Sequence, residues 1–97
     1  MRYLFLLNPT AGKRDCTAEL APAIQAAAQR AGIPPEKRKV VVTQYAGHAR
    51  ELAAEAAHTA QADGEPVRIW TAGGDGTFNE ALTGAQGCSL AAVGCLP

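Results

Sequence analysis

Three glycines fall within four positions in the run Gly73-Gly74-Asp75-Gly76, which is followed by Thr77. Glycines at this density let the backbone adopt positive φ and keep side chains out of the way. Backbone N–H groups can then face a phosphate, helped by the positive end of a helix starting just behind them. Thr77 can cap that helix or hydrogen-bond a phosphate oxygen. A carboxylate such as Asp75 is repelled by a polyphosphate unless a divalent cation bridges the two or the carboxylate acts on a proton. Asp75 is therefore a candidate ligand of Mg²⁺ or water, or a base toward an accepting hydroxyl. The plainer reading is a tight turn in which Asp75 caps its own backbone.

Two further turns invite comparison. Asn8-Pro9-Thr10-Ala11-Gly12-Lys13-Arg14 brings two cations to a place where a strand gives way to a helix, and Gly12 permits close approach. The alternative for Lys13 is a solvated helix start. The turn is not a Walker A loop, because Leu7 stands at the first glycine position and Arg14 at the Ser/Thr position. Gly74-Asp75-Gly76 is not a dinucleotide fingerprint, because Asn79 stands where the last glycine belongs. The remaining turn is Thr43-Gln44-Tyr45-Ala46-Gly47-His48-Ala49.

Other residues carry less chemistry. Lys37-Arg38-Lys39 reads as a solvated edge, with contact to anionic lipid as the alternative. His48 at a helix start and His58 on a helix surface have no metal-ligand or nucleophile pattern beside them. Trp70 reads as core. Cys16, Cys88 and Cys95 lack the spacing of a zinc site, and their odd number argues against a disulfide framework.

The elements that must position these turns alternate along the chain. Tyr3 to Leu7 is a short apolar run stopped by Asn8-Pro9, as in a strand buried on both faces. A helical pattern from about Thr17 to Ala31 places Leu20, Ile24, Ala27, Ala28 and Ala31 on one face. Gly32 stops it, and Pro22 predicts either a later start near Glu19 or a kink. Lys39 to Thr43 is a β-branched strand. Gly47 to about Ala62 is a helix with a small apolar face of Leu52, Ala53, Ala56, Ala57 and Ala60. A strand over Val67 to Thr71 leads into the glycine run, then a short helix from about Thr77 to Thr83 stopped by Gly84. Leu90 to Gly94 is a last small strand. This β-α-β-α-β-α-β order with short connections predicts an α/β fold, a parallel sheet with helices on both faces. In such a sheet, ligands bind beyond the carboxyl ends of the strands, where all three turns lie.

Length and composition agree. The chain has 97 residues, is 47% hydrophobic and 19% charged, and balances nine basic against nine acidic residues. That excludes intrinsic disorder, allows one domain, and offers no charge excess to attract nucleic acid or a membrane. The apolar run at the N-terminus is too short for a signal-peptide core or a spanning helix, so a soluble cytoplasmic chain is expected.

Asn8-Pro9-Thr10-Ala11-Gly12 together with Gly73-Gly74-Asp75-Gly76-Thr77 resembles the diacylglycerol kinase catalytic domain family, which includes bacterial lipid kinases and the sphingosine and ceramide kinases. Thr43 with Gly47-His48-Ala49 resembles the family's T-x-x-x-G-[DH]-A segment, and Gly76-Thr77-Phe78-Asn79-Glu80 matches its G-T-x-N-E. The glycine turn alone is less specific, because NAD kinases and phosphofructokinases share it. The resemblance runs from Tyr3 to Pro97. It implies a three-layer α/β/α sheet of order 2-1-3-4, similar to that of phosphofructokinase and NAD kinase. It also implies a second, β-rich domain that accepts the lipid, with ATP held between the two.

Carried over by position, Asn8, Pro9, Thr10, Ala11, Gly12, Thr43, Gly73, Gly74, Asp75, Gly76, Thr77 and Asn79 would contact ATP. Asp75 would serve the phosphates through Mg²⁺ or a water and is the one catalytic candidate. Glu80 would brace the loop or help organise the metal. The implied cofactors are ATP and Mg²⁺, and the implied partners are ATP and a lipid such as diacylglycerol, without nucleic acid. Contact with the inner membrane surface would be peripheral, and surface meant for the second domain could drive self-association. The family pattern continues as L-P-x-G-T-x-N-D, of which the chain holds Leu96-Pro97. The main catalytic base and the lipid pocket are therefore expected outside these residues, and the 97 residues alone are expected to be inactive. The alternatives are an NAD kinase-like enzyme, against which the Asn8-to-Gly12 turn argues, and a non-catalytic nucleotide-binding module.

Overall fold

The computed structural model describes residues 1–9 and 17–96, with the side chains of 17–19 set aside. Four strands form one parallel sheet: β1 (Arg2–Leu7), β2 (Arg38–Val42), β3 (Val67–Ala72) and β4 (Ala91–Cys95). Their order is β2-β1-β3-β4, as the resemblance implied. The described helices are α1 (Thr17–Arg30), α2 (His48–Asp63) and α3 (Asp75–Ala85), with a 3₁₀ turn at Pro35–Lys37 that the sequence pattern did not signal.

Alternation along β1 divides the core in two. Leu4 and Leu6 face one way and pack with Ala49, Ala53, Ala57 and Ala60 of α2, Ala81 and Ala85 of α3, and Val67 and Ile69 of β3. Phe5 and Leu7 face the other way and meet Ile24 of α1, with Leu20, Val40, Val42 and Trp70 packed around them. Helices thus cover both faces, which is why β1 is apolar at every position from Leu4 to Leu7.

Several local expectations need correction. Gly84 does not stop α3; it lies inside the helix, which ends at Ala85 with the Gln86 N–H donating to the Thr83 carbonyl. A Cβ on Gly84 would sit 2.2 Å from the Arg50 carbonyl oxygen and 3.0 Å from the Ala53 Cβ, so this glycine is there to let α2 and α3 touch. Helix α3 begins at Asp75, two residues before Thr77. Helix α1 begins at Thr17 and carries Pro22 inside it. Only Ile24 and Ala28 of its expected face are fully buried, while Ala27 and Ala31 are exposed. α1 is the one described helix on its side of the sheet, and the stripe at four-residue spacing through Leu20, Ile24 and Ala28 suffices to cover β1 and β2.

The amino edge of the sheet is closed by charge. Lys37 Nζ donates to both carboxylate oxygens of Glu65, at 3.0 and 2.8 Å. The Met1 ammonium lies 3.1 Å from Glu65, and Arg2 pairs with both Glu65 and Asp63. Of the basic run, Lys37 and Arg38 are therefore engaged within the fold: Arg38 donates to Gln25 and to the Ile33 carbonyl. The hydrogen bonds from Lys37 and the N-terminus hold the Glu65 carboxyl at about 2, below its ordinary 4.5. A carboxyl lowered on folding stabilises the fold in full above its unfolded value, and that contribution drains away as pH falls toward the folded value. Glu65→Gln should therefore lower the melting temperature at pH 7, with the gap from the parent closing between pH 4.5 and 2. A gap that stays constant over that range would dissociate Glu65 ionisation from stability.

Candidate active site

The site forms where the fold changes direction. Strands β1 and β3 are neighbours, yet β1 leads to α1 on one face and β3 leads to α3 on the other. The crevice beyond their carboxyl ends is the switch point at which open α/β sheets bind ligands. Backbone bonds stitch the strand ends together there. The Asn8 N–H donates to the Ala72 carbonyl at 2.9 Å, and the Thr43 N–H donates to the Leu7 carbonyl at 2.8 Å.

The glycine run is shaped by what surrounds it. Gly73 has φ 147°, and a Cβ there would lie 2.5 Å from the Asn8 Cβ and 3.0 Å from Thr77 Oγ1. The Asn8 side chain packs over this glycine, and no larger residue fits. Gly74 caps α3 at φ 86° and ψ −174°, a conformation essentially confined to glycine, with open space where its Cβ would be. Phe78 N–H closes the first helical turn onto the Gly74 carbonyl. The N–H groups ahead of it, on residues 74 to 77, are those that a helix start leaves without an intrahelical partner and can offer to an anion.

Thr77 does not cap α3. It is buried, donates through Oγ1 to the Gly73 carbonyl at 3.4 Å, and accepts a bond from Asn8 Nδ2 at 3.1 Å. It joins the first and third turns, which lie 69 residues apart in sequence. Thr43 is likewise buried at the strand end, its hydroxyl donating to the Leu7 carbonyl at 3.3 Å.

A cleft of about 490 Å³ opens over these residues, lined on its inner side by Asn8, Pro9, Thr43, Thr77 and Glu80. Asp75, Gly76 and Asn79 are exposed on the first turns of α3, outside this lining. Thr10, Ala11, Gly12, Lys13 and Arg14 lie outside the described residues. Among the described lining residues Glu80 is the one carboxylate and none is basic, so what these residues offer an anion comes from the helix starts. A second groove, of about 260 Å³, runs along the opposite edge beside Arg2, Lys37 and Leu52. Arg2 and Lys37 are already paired there with acidic residues.

No group of three or more His, Cys, Asp or Glu among the described residues could cage a metal. Mg²⁺, however, is usually bound by one or two carboxylates with phosphate oxygens and waters completing its shell. An exposed Asp75 in the first turn of α3 fits that limited donor set.

The outer wall of the cleft holds a residue not singled out by its sequence. Tyr45 lines the cleft, stacks on His48 with ring centroids 4.5 Å apart, and donates its hydroxyl to Glu51. That bond holds the Tyr45 phenol above its ordinary pKa. The signal was the spacing of three between Tyr45, His48 and Glu51, which puts all three on one side of a starting helix.

No curated protein matches the chain. The family model of the diacylglycerol kinase catalytic domain matches residues 2–97, which takes in every described strand and helix. With a match over nearly its whole length, the chain belongs to the diacylglycerol kinase catalytic domain family, a family of lipid kinases.

Proposed function

We propose that the chain is the ATP-binding portion of a lipid kinase that phosphorylates the hydroxyl of diacylglycerol or a related lipid. The observation that carries this reading is the joining of Asn8, Thr77 and Gly73 at the switch point, which sets the start of α3 beside a cleft lined by Asn8, Pro9, Thr43, Thr77 and Glu80. The triphosphate lies over Gly73 and Gly74, its oxygens accepting from the N–H groups of the first turn of α3. Asn8, Pro9 and Thr43 shape the floor and exclude water from it. Asp75 would hold Mg²⁺, directly or through a water, and the ion when bound would neutralise charge on the phosphates. The lipid hydroxyl and its base come from a second domain, and contact with the membrane is peripheral. Among the described residues no helix is long and apolar enough to cross a membrane.

The test compares two adjacent glycines. In Gly74→Ala the methyl enters open space, and strain from the positive φ costs on the order of 1 kcal/mol, so the chain should still fold. The methyl would stand in the phosphate path, and ATP binding by calorimetry should weaken about tenfold. Gly73→Ala meets the Asn8 side chain instead and should lose stability along with ATP binding. Parent-like ATP affinity in a folded Gly74→Ala variant would place the phosphates elsewhere.

A further inference from the structure

We propose that His48 is a positioning residue: its neutral imidazole latches the turn between β2 and α2, and acid releases that latch. The Gln44 backbone N–H donates to His48 Nδ1 at 2.8 Å, across four positions of the chain. Gly47, which precedes α2 at φ 89°, supplies no side-chain cap, so the His48 ring is the side-chain acceptor that closes the turn. The neighbouring groups are tied to backbone. The Thr43 N–H and hydroxyl both donate to the Leu7 carbonyl, and the His48 N–H donates to the Tyr45 carbonyl at 3.1 Å. The Gln44 N–H depends on the ring instead. Gln44, Tyr45 and Ala46 line the cleft, so what holds this turn holds one wall of the cleft.

Nδ1 can accept only while it carries no proton, which places the proton of the neutral ring on Nε2. Imidazoles change charge between about pH 8 and pH 5. Once Nδ1 is protonated, two donors face each other, and a cation stands at the positive end of α2. Both effects oppose the bond, so it is present near pH 8 and lost toward pH 5. The stack on Tyr45 is not lost with it, because a cation is attracted to the face of an aromatic ring. The end that lets go is therefore Gln44. The Tyr45 phenol that faces the ring is held above its ordinary pKa by its bond to Glu51 and keeps its proton throughout. Glu51 of α2 lies beyond that phenol, and Glu80 of α3 shares the cleft lining with Tyr45. Among the described residues neither carboxylate forms an ion pair with His48.

NMR of the 97-residue chain reads the latch directly. Lowering the pH from about 8 to about 5 should move the Gln44 amide proton upfield as the His48 imidazole protonates. Its protection from exchange, corrected for the intrinsic rate at each pH, should fall about fivefold, as for the loss of one hydrogen bond. His48→Asn places an amide oxygen near the position of Nδ1 without titrating, and should hold the Gln44 amide in place at both ends of the range. His48→Ala should show the released amide at both ends. His58→Gln removes the other histidine, exposed on α2, and should leave the response of the parent intact. A Gln44 amide indifferent to protonation of His48, an imidazole that stays neutral down to pH 5, or a response that disappears with His58 would each overturn the latch. None of these readouts involves ATP, so the latch and the nucleotide reading fail separately.

Discussion

Replacing Gly84 by alanine is expected to lower the melting temperature of the chain by roughly 10–15 °C. The direction runs against helix propensity, since alanine in a helix interior is favoured over glycine by about 0.8–1.0 kcal/mol. The new Cβ would lie 2.2 Å from the Arg50 carbonyl oxygen, a backbone atom that no side-chain rotation can move. Helices α2 and α3 must separate, which opens the alanine layer of Ala49, Ala53, Ala57, Ala81 and Ala85. Overpacking of this kind costs about 1–3 kcal/mol and sometimes more, and a domain of this size loses about 4–8 °C for each kcal/mol. Gly76→Ala is the control. It adds the same methyl in the same helix, meets nothing within 4 Å, and should not lower the melting temperature. A parent-like melting temperature for Gly84→Ala would mean that the helices slide apart freely.

Asp75→Asn is expected to cut turnover of the complete kinase about a hundredfold or more, while ATP affinity stays within a few-fold of the parent. A group that holds the metal or moves a proton acts mainly in the transition state, and losses of this size follow when such a group is neutralised. The competing role is modest. Asp75 is exposed in the first turn of α3, where a negative charge complements the helix dipole by about 0.3–1 kcal/mol. If that is all it does, the variant melts slightly earlier and phosphorylates lipid at the parent rate. Steady-state transfer of labelled phosphate to diacylglycerol in micelles, with ATP varied, separates the two outcomes.

The layered fold was legible because its signals are local. Each strand is an apolar or β-branched run ended by turn residues, and the unbroken run from Leu4 to Leu7 marks a strand covered on both faces. What could not be read depended on partners far away in the chain. Gly84 looks like a helix stop until Arg50 and Ala53 are seen against it. Thr77 looks like a cap until Asn8 is found bonded to it across 69 positions. Pro22 pointed to a later start near Glu19 or a kink, but α1 begins at Thr17 and carries Pro22 inside it. The cleft residues were found through motif resemblance. The way Tyr45 is held, by His48 and Glu51, is likewise invisible in its residue type.

The seam at Gly84 also bears on the walls of the cleft. The turn through Tyr45 leads into α2, and Thr77 and Glu80 lie on α3. At Gly84 the backbone of α3 comes against the Arg50 carbonyl of α2, with the Ala53 side chain beside it. Any widening of that seam would carry Tyr45 away from Thr77 and Glu80, so the width of the cleft is set by a glycine that lines neither wall.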